Sequence, residues 1–238
     1  MQKSSLAKIL ILVCLIAMLV GCEKPPVDPP EEDELSGTVK TWDYTFDAAN
    51  YDMADWYIDW QFSYDYTEDP EIRTGGLYFD NLLLTSKASF TGDFIMEVDF
   101  TLDCEADRTV ELELYPSDGW EWEQTNHLQT WFSNLGENVD LAESFGVQDN
   151  GPLGWNTPAD GGEMALSGFV RKGPNTWKIK KVGNQVEMWI NTFKYASFTA
   201  QYYDPSHNHL SLYAESGGGT VLFKGITVQY NGTMSVDM

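Results

Sequence analysis

The strongest constraint on this chain is a period-two alternation of apolar and polar residues through its last third, residues 175–230. Asn175-Thr176-Trp177-Lys178-Ile179-Lys180-Lys181-Val182 leads through Gly183-Asn184 into Gln185-Val186-Glu187-Met188-Trp189-Ile190-Asn191. His209-Leu210-Ser211-Leu212-Tyr213-Ala214 follows, then glycines 217–219 and Val221-Leu222-Phe223-Lys224-Gly225-Ile226-Thr227-Val228. Strand side chains point alternately to opposite faces, so each run predicts a half-buried β-strand. Gly183-Asn184 offers the positive φ angles that a two-residue hairpin turn requires.

The same logic appears upstream. Phe94-Ile95-Met96-Glu97-Val98-Asp99-Phe100-Thr101-Leu102 is large and apolar at every even position, and Val110-Glu111-Leu112-Glu113-Leu114-Tyr115 repeats it. Residues 38–46 read as a first strand, with shorter candidates at 76–80 and 81–85 and weaker ones at 128–132 and 139–145. Residues 47–65 are aromatic and irregular, and 151–162 read as a proline- and glycine-rich loop. No amphipathic helix and no repeat of about 20–50 residues is legible. Many short strands divided by turns predict an all-β, two-sheet antiparallel β-sandwich, a jelly roll.

The chain starts Met1-Gln2-Lys3 and runs into an apolar stretch over 9–20, shorter than the about 20 residues of a spanning helix. Basic start, short apolar core and small residues at its end predict a signal peptide over 1–21. Leu19-Val20-Gly21-Cys22 resembles the lipobox of bacterial lipoproteins, which implies cleavage before Cys22 and its lipidation. Residues 22–37, with Pro25, Pro26, Pro29, Pro30 and Glu31-Glu32-Asp33-Glu34, have almost nothing to bury and predict an extended, solvated tether. Such tethers resemble those of lipoproteins of gut Bacteroidetes. The expected location is the cell envelope, lipid-anchored in the outer membrane on its periplasmic or surface face, with the membrane met through the lipid alone.

Residues 38–238 then suffice for one domain with a sizeable core. Of three cysteines only Cys104 stays in that domain, where it makes no disulfide and reads as a small buried hydrophobe. Loss of Lys3 and Lys8 with the signal takes the formal charge from −23 to −25. A surface that acidic repels phosphate backbones and argues against nucleic acid. No phosphate-binding loop, nucleotide fingerprint or nucleophile elbow is present, so no nucleotide is expected.

Thr91-Gly92-Asp93-Phe94 with its alternating strand, Asn175-Thr176-Trp177-Lys178-Ile179, Val182-Gly183-Asn184-Gln185-Val186, Trp189-Ile190-Asn191-Thr192-Phe193 and 219–228 together resemble the concanavalin A-like lectin/glucanase superfamily. The order of segments is most similar to its laminin-G-like and 3-keto-disaccharide hydrolase branches. The resemblance implies a two-sheet jelly roll in a sugar-related setting and transfers no catalytic residue.

Two acidic strands are the catalytic candidates. Glu97-Val98-Asp99-Phe100 resembles the first half of the strand motif of family 16 glycoside hydrolases, in which three acids share one strand face; here Thr101 or Leu102 stands where the third would fall. Residues two apart on one strand face lie about 6.5–7 Å apart. Inverting glycosidases separate their carboxyls by about 6.5–9.5 Å and retaining ones by about 5–5.5 Å. Glu111 and Glu113 form the second same-face pair. The plain alternative for both pairs is the solvent face of an ordinary strand.

Trp120, Trp122, Trp131 and Trp155 lie in turn-rich segments and are the carbohydrate-binding candidates, as an indole packs on the C–H face of a sugar. Asp118, Glu121, Glu123, Gln124, Asn126 and His127 offer polar groups near Trp120 and Trp122, and Trp56 and Trp60 share the same setting. Trp42, Trp177 and Trp189 sit in strand patterns and read as core. His207-Asn208-His209 would place two imidazoles on one side of an extended segment, but zinc takes three or four ligands. Asp149-Asn150-Gly151 leaves calcium open without a complete ligand loop, so no metal site and no cofactor is expected. The leading expectation is a lipoprotein that binds carbohydrate in glycan capture. The alternatives are a glycoside hydrolase using the paired carboxylates, and an adhesive module that meets a protein.

Overall fold

The computed structural model describes residues 35–59, 69–103, 110–119, 126–133, 144–161, 170, 172–216 and 219–237. Residues 1–34, with the signal and most of the tether, lie outside them, as do Cys104, Trp60, Trp120 and Trp122, whereas Leu35 near the end of the tether is buried. Sheet A contains β1 (Lys40–Thr45), β3 (Glu71–Arg73), β4 (Gly76–Tyr78), β6 (Phe94–Asp103), β11 (Gly173–Val182), β12 (Gln185–Ile190), β13 (Phe193–Thr199) and β15 (Thr220–Tyr230). Sheet B contains β2 (Trp56–Asp59), β5 (Leu82–Phe90), β7 (Val110–Ser117), β8 (His127–Ser133), β9 (Ser144–Gly151), β10 (Gly154–Gly161), β14 (Asn208–Ser216) and β16 (Met234–Val236).

Sheet A runs β13-β12-β11-β6-β15-β4-β3, and β1 shares the outer edge of β15 with β4. Sheet B runs β10-β9-β8-β7-β14-β5-β16, and β2 shares the edge of β5 with β16. All pairings are antiparallel, and the chain crosses repeatedly between sheets: β5, β7, β14 and β16 lie in B, β6 and β15 in A.

The alternation in the sequence is what closes the sandwich. On β6 Phe94, Met96, Val98, Phe100 and Leu102 are fully buried, and they meet Trp177 and Ile179 of β11 and Val186, Met188 and Ile190 of β12 in one core. Leu112 and Leu114 of β7, Leu128 and Phe132 of β8 and Leu210, Leu212 and Ala214 of β14 close it from sheet B. On β15 the inward set changes parity, from Val221 and Phe223 to Ile226, Val228 and Tyr230. A bulge causes this: Phe223 pairs with Phe100 and Gly225 with Asp99, leaving Lys224 as the extra residue.

The hairpin at Gly183-Asn184 forms, but only Gly183 takes a positive φ, +56°. Three further expectations are corrected. Most of the expected 151–162 loop is strand β10, whose pairing to β9 shifts between Asn156 and Ala159 around Pro158. Trp56 packs at 4% exposure in the core rather than against solvent. Trp189 is not core: with its neighbours Met188 and Ile190 pointing inward, its ring lies on the outer face of sheet A between the ammonium groups of Lys178 and Lys194. Among the described residues, no helix is long and apolar enough to cross a membrane.

Candidate functional site

On β7 the inward side chains are Leu112 and Leu114, so Glu111, Glu113, Tyr115 and Ser117 point away from the core. Directly opposed residues of neighbouring strands share a face, and the register therefore assembles the outer face of sheet B row by row. Glu113 stands opposite Trp131 on β8 and Tyr213 on β14, and Trp131 in turn stands opposite Gly146 on β9. Glu111 stands opposite Glu215. In the next row Tyr115 faces Ser211, which faces Thr85, and the Ser211 and Thr85 hydroxyls are 2.8 Å apart. Beyond it lie Ser117, His127 and Asn150 in sequence across the sheet.

The half-buried Glu113 is the centre of this face. Gln129 Nε2 donates to Glu113 Oε2 at 3.0 Å. Loss of water around its carboxyl, reinforced by the negative charges of Glu111 and Glu215, outweighs that bond and pushes its pKa up to about 8. Burial and then Glu215 raise Glu111 as well. The Tyr213 hydroxyl donates to Glu215 Oε2 at 2.9 Å. Three carboxyls on two adjacent strands thus differ in environment, with the innermost one protonated at neutral pH.

Beside Glu113 the Trp131 indole lies over Gly146: a Cβ on that glycine would fall 2.0 Å from Trp131 Cζ2. The glycine is what lets the indole spread across β9. Beneath the face, Thr130 and Tyr195 share a hydrogen bond of 2.8 Å, and the Tyr195 hydroxyl accepts from Trp177 Nε1 at 2.7 Å. Thr130 belongs to β8, Tyr195 and Trp177 to sheet A, so this buried polar link ties the two sheets under Gln129 and Trp131.

The sequence-derived candidates divide between two faces. Glu97 and Asp99 lie on β6 in sheet A, facing outward on the far side of the sandwich from Glu111 and Glu113. There Glu97 sits 3.7 Å from Lys178 Nζ, and Asp99 accepts from the Thr176 hydroxyl at 2.5 Å. Asp99, Thr176, Asn191 and Lys224 line an open pocket of 310 Å³ on that side. The four acids therefore form no common cleft. Trp131 joins Glu111 and Glu113, and Trp155 stands on the same face, opposite Asn150 and 63% exposed. Sequence reasoning missed Glu215, Tyr213, Gln129 and Gly146. Tyr213 lay in a run read purely as framework, although it is an outward position there, and Glu215 follows that run directly.

His207 and His209 do lie side by side, their rings 5.2 Å apart. His209 is buried within β14, where Nδ1 lies 2.7 Å from the Ser86 carbonyl oxygen and burial lowers its pKa. The Asp149 carboxylate is fully buried and accepts from the backbone N–H groups of Gln201 at 2.6 Å and Tyr203 at 2.7 Å, pinning the β13–β14 connection to β9. No group of three or more His, Cys, Asp or Glu side chains suited to a metal occurs among the described residues.

No protein-family model matches the chain, and no curated protein matches it. Solved structures do. The Bacillus licheniformis β-glucanase is similar over 82% of this chain and 99% of its own, with TM-score 0.55 and 11% identity. The κ-carrageenase of Pseudoalteromonas carrageenovora, solved with an oligotetrasaccharide of κ-carrageenan, is similar over 88% and 99%, with TM-score 0.53 and 9% identity. A legume lectin-like domain from Entamoeba histolytica is similar over 78% and 92%, with TM-score 0.50 and 9% identity. The fold is that of the concanavalin A-like jelly rolls.

Proposed function

We propose that this is a carbohydrate-binding protein and that the outer face of sheet B is its glycan site. The observation that carries the reading is the setting of Glu113, held between the Trp131 indole and Tyr213 and hydrogen-bonded to Gln129. A sugar presents an apolar C–H face and a polar hydroxyl rim. The indole over Gly146 matches the first, and Glu113 and Glu215 match the second. Lectins and glycan-cleaving enzymes among the similar folds agree with this, although function resides in the site and not in the fold. Affinity electrophoresis through mixed-linkage β-glucan, laminarin and κ-carrageenan tests it: the protein is retarded by at least one polymer, and Trp131→Ala abolishes the retardation.

A second reading, glycoside hydrolysis, is favoured by one specific observation: burial raises the Glu113 pKa to about 8, and two further carboxyls, Glu111 and Glu215, stand together in the next row of the same face. A protonated Glu113 would donate to the leaving oxygen, with Glu111 or Glu215 as the carboxylate partner. Glu111 and Glu113 are spaced about 6.5–7 Å along β7, in the inverting range. Glu113 and Glu215 are diagonal cross-strand neighbours about 7–8 Å apart, again in the inverting range. On β7 the third same-face position is Tyr115, so among the described residues the third acid of this face is Glu215 of β14. Reducing-sugar release from the same polymers, lost in Glu113→Gln, distinguishes an enzyme from a lectin.

The chain is further proposed to be lipidated at Cys22 and held at the cell envelope by its tether. Metabolic labelling with palmitate, lost in Cys22→Ala, tests that anchor.

A further inference from the structure

The hairpin that joins β9 to β10 carries the most exposed large apolar side chains of the described residues, Leu153 at 91% and Trp155 at 63% exposure. Its end is anchored rather than loose: a Cβ on Gly151 would fall 1.9 Å from the Tyr202 carbonyl oxygen, and one on Gly154 would fall 2.9 Å from the Tyr202 ring. Trp155 pairs with Asn150 ahead of the bulge at Asn156, so both project from the outer face of sheet B. Asn150 Nδ2 lies 3.5 Å from His127 Nε2, which fixes that side as the one bearing Glu113.

Trp131 lies opposite Gly146 and Trp155 opposite Asn150. Four residues along β9 at about 3.3 Å each, with two interstrand steps of about 4.8 Å, put the two tryptophan Cα atoms roughly 16 Å apart. Between them the register sets Gln129 opposite Gln148 and His127 opposite Asn150. Gln129 and His127 are themselves buried, so the half-buried Gln148 and Asn150 of β9 are the amides that floor a track with an indole at each end.

We propose that Trp131 and Trp155 are the two ends of one extended subsite array that runs along β8 and β9 and takes a linear oligosaccharide longer than a disaccharide. This rests on the glycan reading of the Glu113 face and adds its length and direction. One or two sugar rings do not span 16 Å, so a short ligand stacks on one indole only. A longer chain stacks on both and offers its hydroxyls to the amides between. Glu113 lies at one end of the track, so the glycan extends from it mainly toward Trp155.

Calorimetric titration with β-1,3-1,4-gluco-oligosaccharides from mono- to hexasaccharide, with lichenan as the polymer control, tests the array. Affinity is expected to rise about tenfold at the length that first reaches the second indole, the worth of one more aromatic contact at about 1.4 kcal/mol. Trp155→Ala removes that step and leaves the shorter ligands unaffected, whereas Trp131→Ala weakens every length. Trp155 is exposed, so its loss leaves folding intact. A ladder of equal affinities, or an unchanged step in Trp155→Ala, overturns the array while leaving the Glu113 site standing. No binding of any of these oligosaccharides, nor of lichenan, laminarin or κ-carrageenan, by the wild-type protein overturns both.

Discussion

At the scale of single residues, Glu113 and Gly146 carry the account. The folded protein holds a proton on Glu113 up to about pH 8, against an ordinary value of 4.5. A carboxyl raised in this way binds its proton more tightly folded than unfolded, so ionising it works against folding. Its contribution is therefore favourable at low pH and is lost as pH rises from about 4.5 through about 8. Glu113→Gln removes the titration, and its unfolding midpoint is expected to gain on the wild type as pH climbs through that window; chemical denaturation at pH 5, 7 and 9 checks this. Gly146 makes a prediction of a different kind. Gly146→Ala drives a methyl group into the Trp131 ring and is expected to cost about 1–3 kcal/mol by overpacking while displacing the indole. Glycan binding should fall with it, read by calorimetry beside a denaturant titration. Neither property was legible in the sequence. Glu113 was visible as one of a same-face acidic pair, but its raised pKa comes first from burial among β8 and β14 side chains and only then from Glu111 and from Glu215, which sheet register brings opposite Glu111.

At the scale of elements, period two read correctly wherever a strand buries one face. β6, β7, β11, β12, β14 and β15 all came from that alternation, because the core side of each packs into one largely apolar layer. The reading failed where alternation is broken. Strand β10 contains Pro158 and lies at a sheet edge, so its residues resemble a loop locally and are ordered by the pairing of β9. Trp189 shares the pattern of a core residue, and only the inward direction of Met188 and Ile190 assigns it to the far face. The link under the site belongs to this scale too. Tyr195→Phe leaves Trp177 Nε1 without its acceptor and removes the partner of the Thr130 hydroxyl, so a loss of about 1–3 kcal/mol is expected in denaturant unfolding. The same variant should weaken glycan binding less than Trp131→Ala does, because it frees β8 without removing the platform.

At the scale of the whole molecule, the two faces of the sandwich have different characters. The outer face of sheet A pairs its acids with nearby cations, Glu97 with Lys178 and Glu187 with Lys180 and Lys194, whereas the face built on β7 and β14 gathers Glu111, Glu113 and Glu215. The formal charge of −23 repels itself in the folded chain, and screening by salt relieves that repulsion. The thermal midpoint is accordingly expected to rise between about 10 mM and 150 mM salt, where the Debye length shortens from about 30 Å to about 8 Å. The jelly roll itself was readable from strands, turns and family resemblance, since all of these reflect one core. Which face holds the site was not, because it depends on how β6 and β7 are dealt to opposite sheets. That division gives the most direct test of the central claim. Affinity electrophoresis should compare the wild type with Trp131→Ala on the sheet B face and Trp189→Ala on the sheet A face. The account predicts retardation by a β-glucan or carrageenan gel in the wild type and in Trp189→Ala, and its loss in Trp131→Ala. Retardation that survives Trp131→Ala and disappears in Trp189→Ala would place the glycan on the opposite sheet and contradict it.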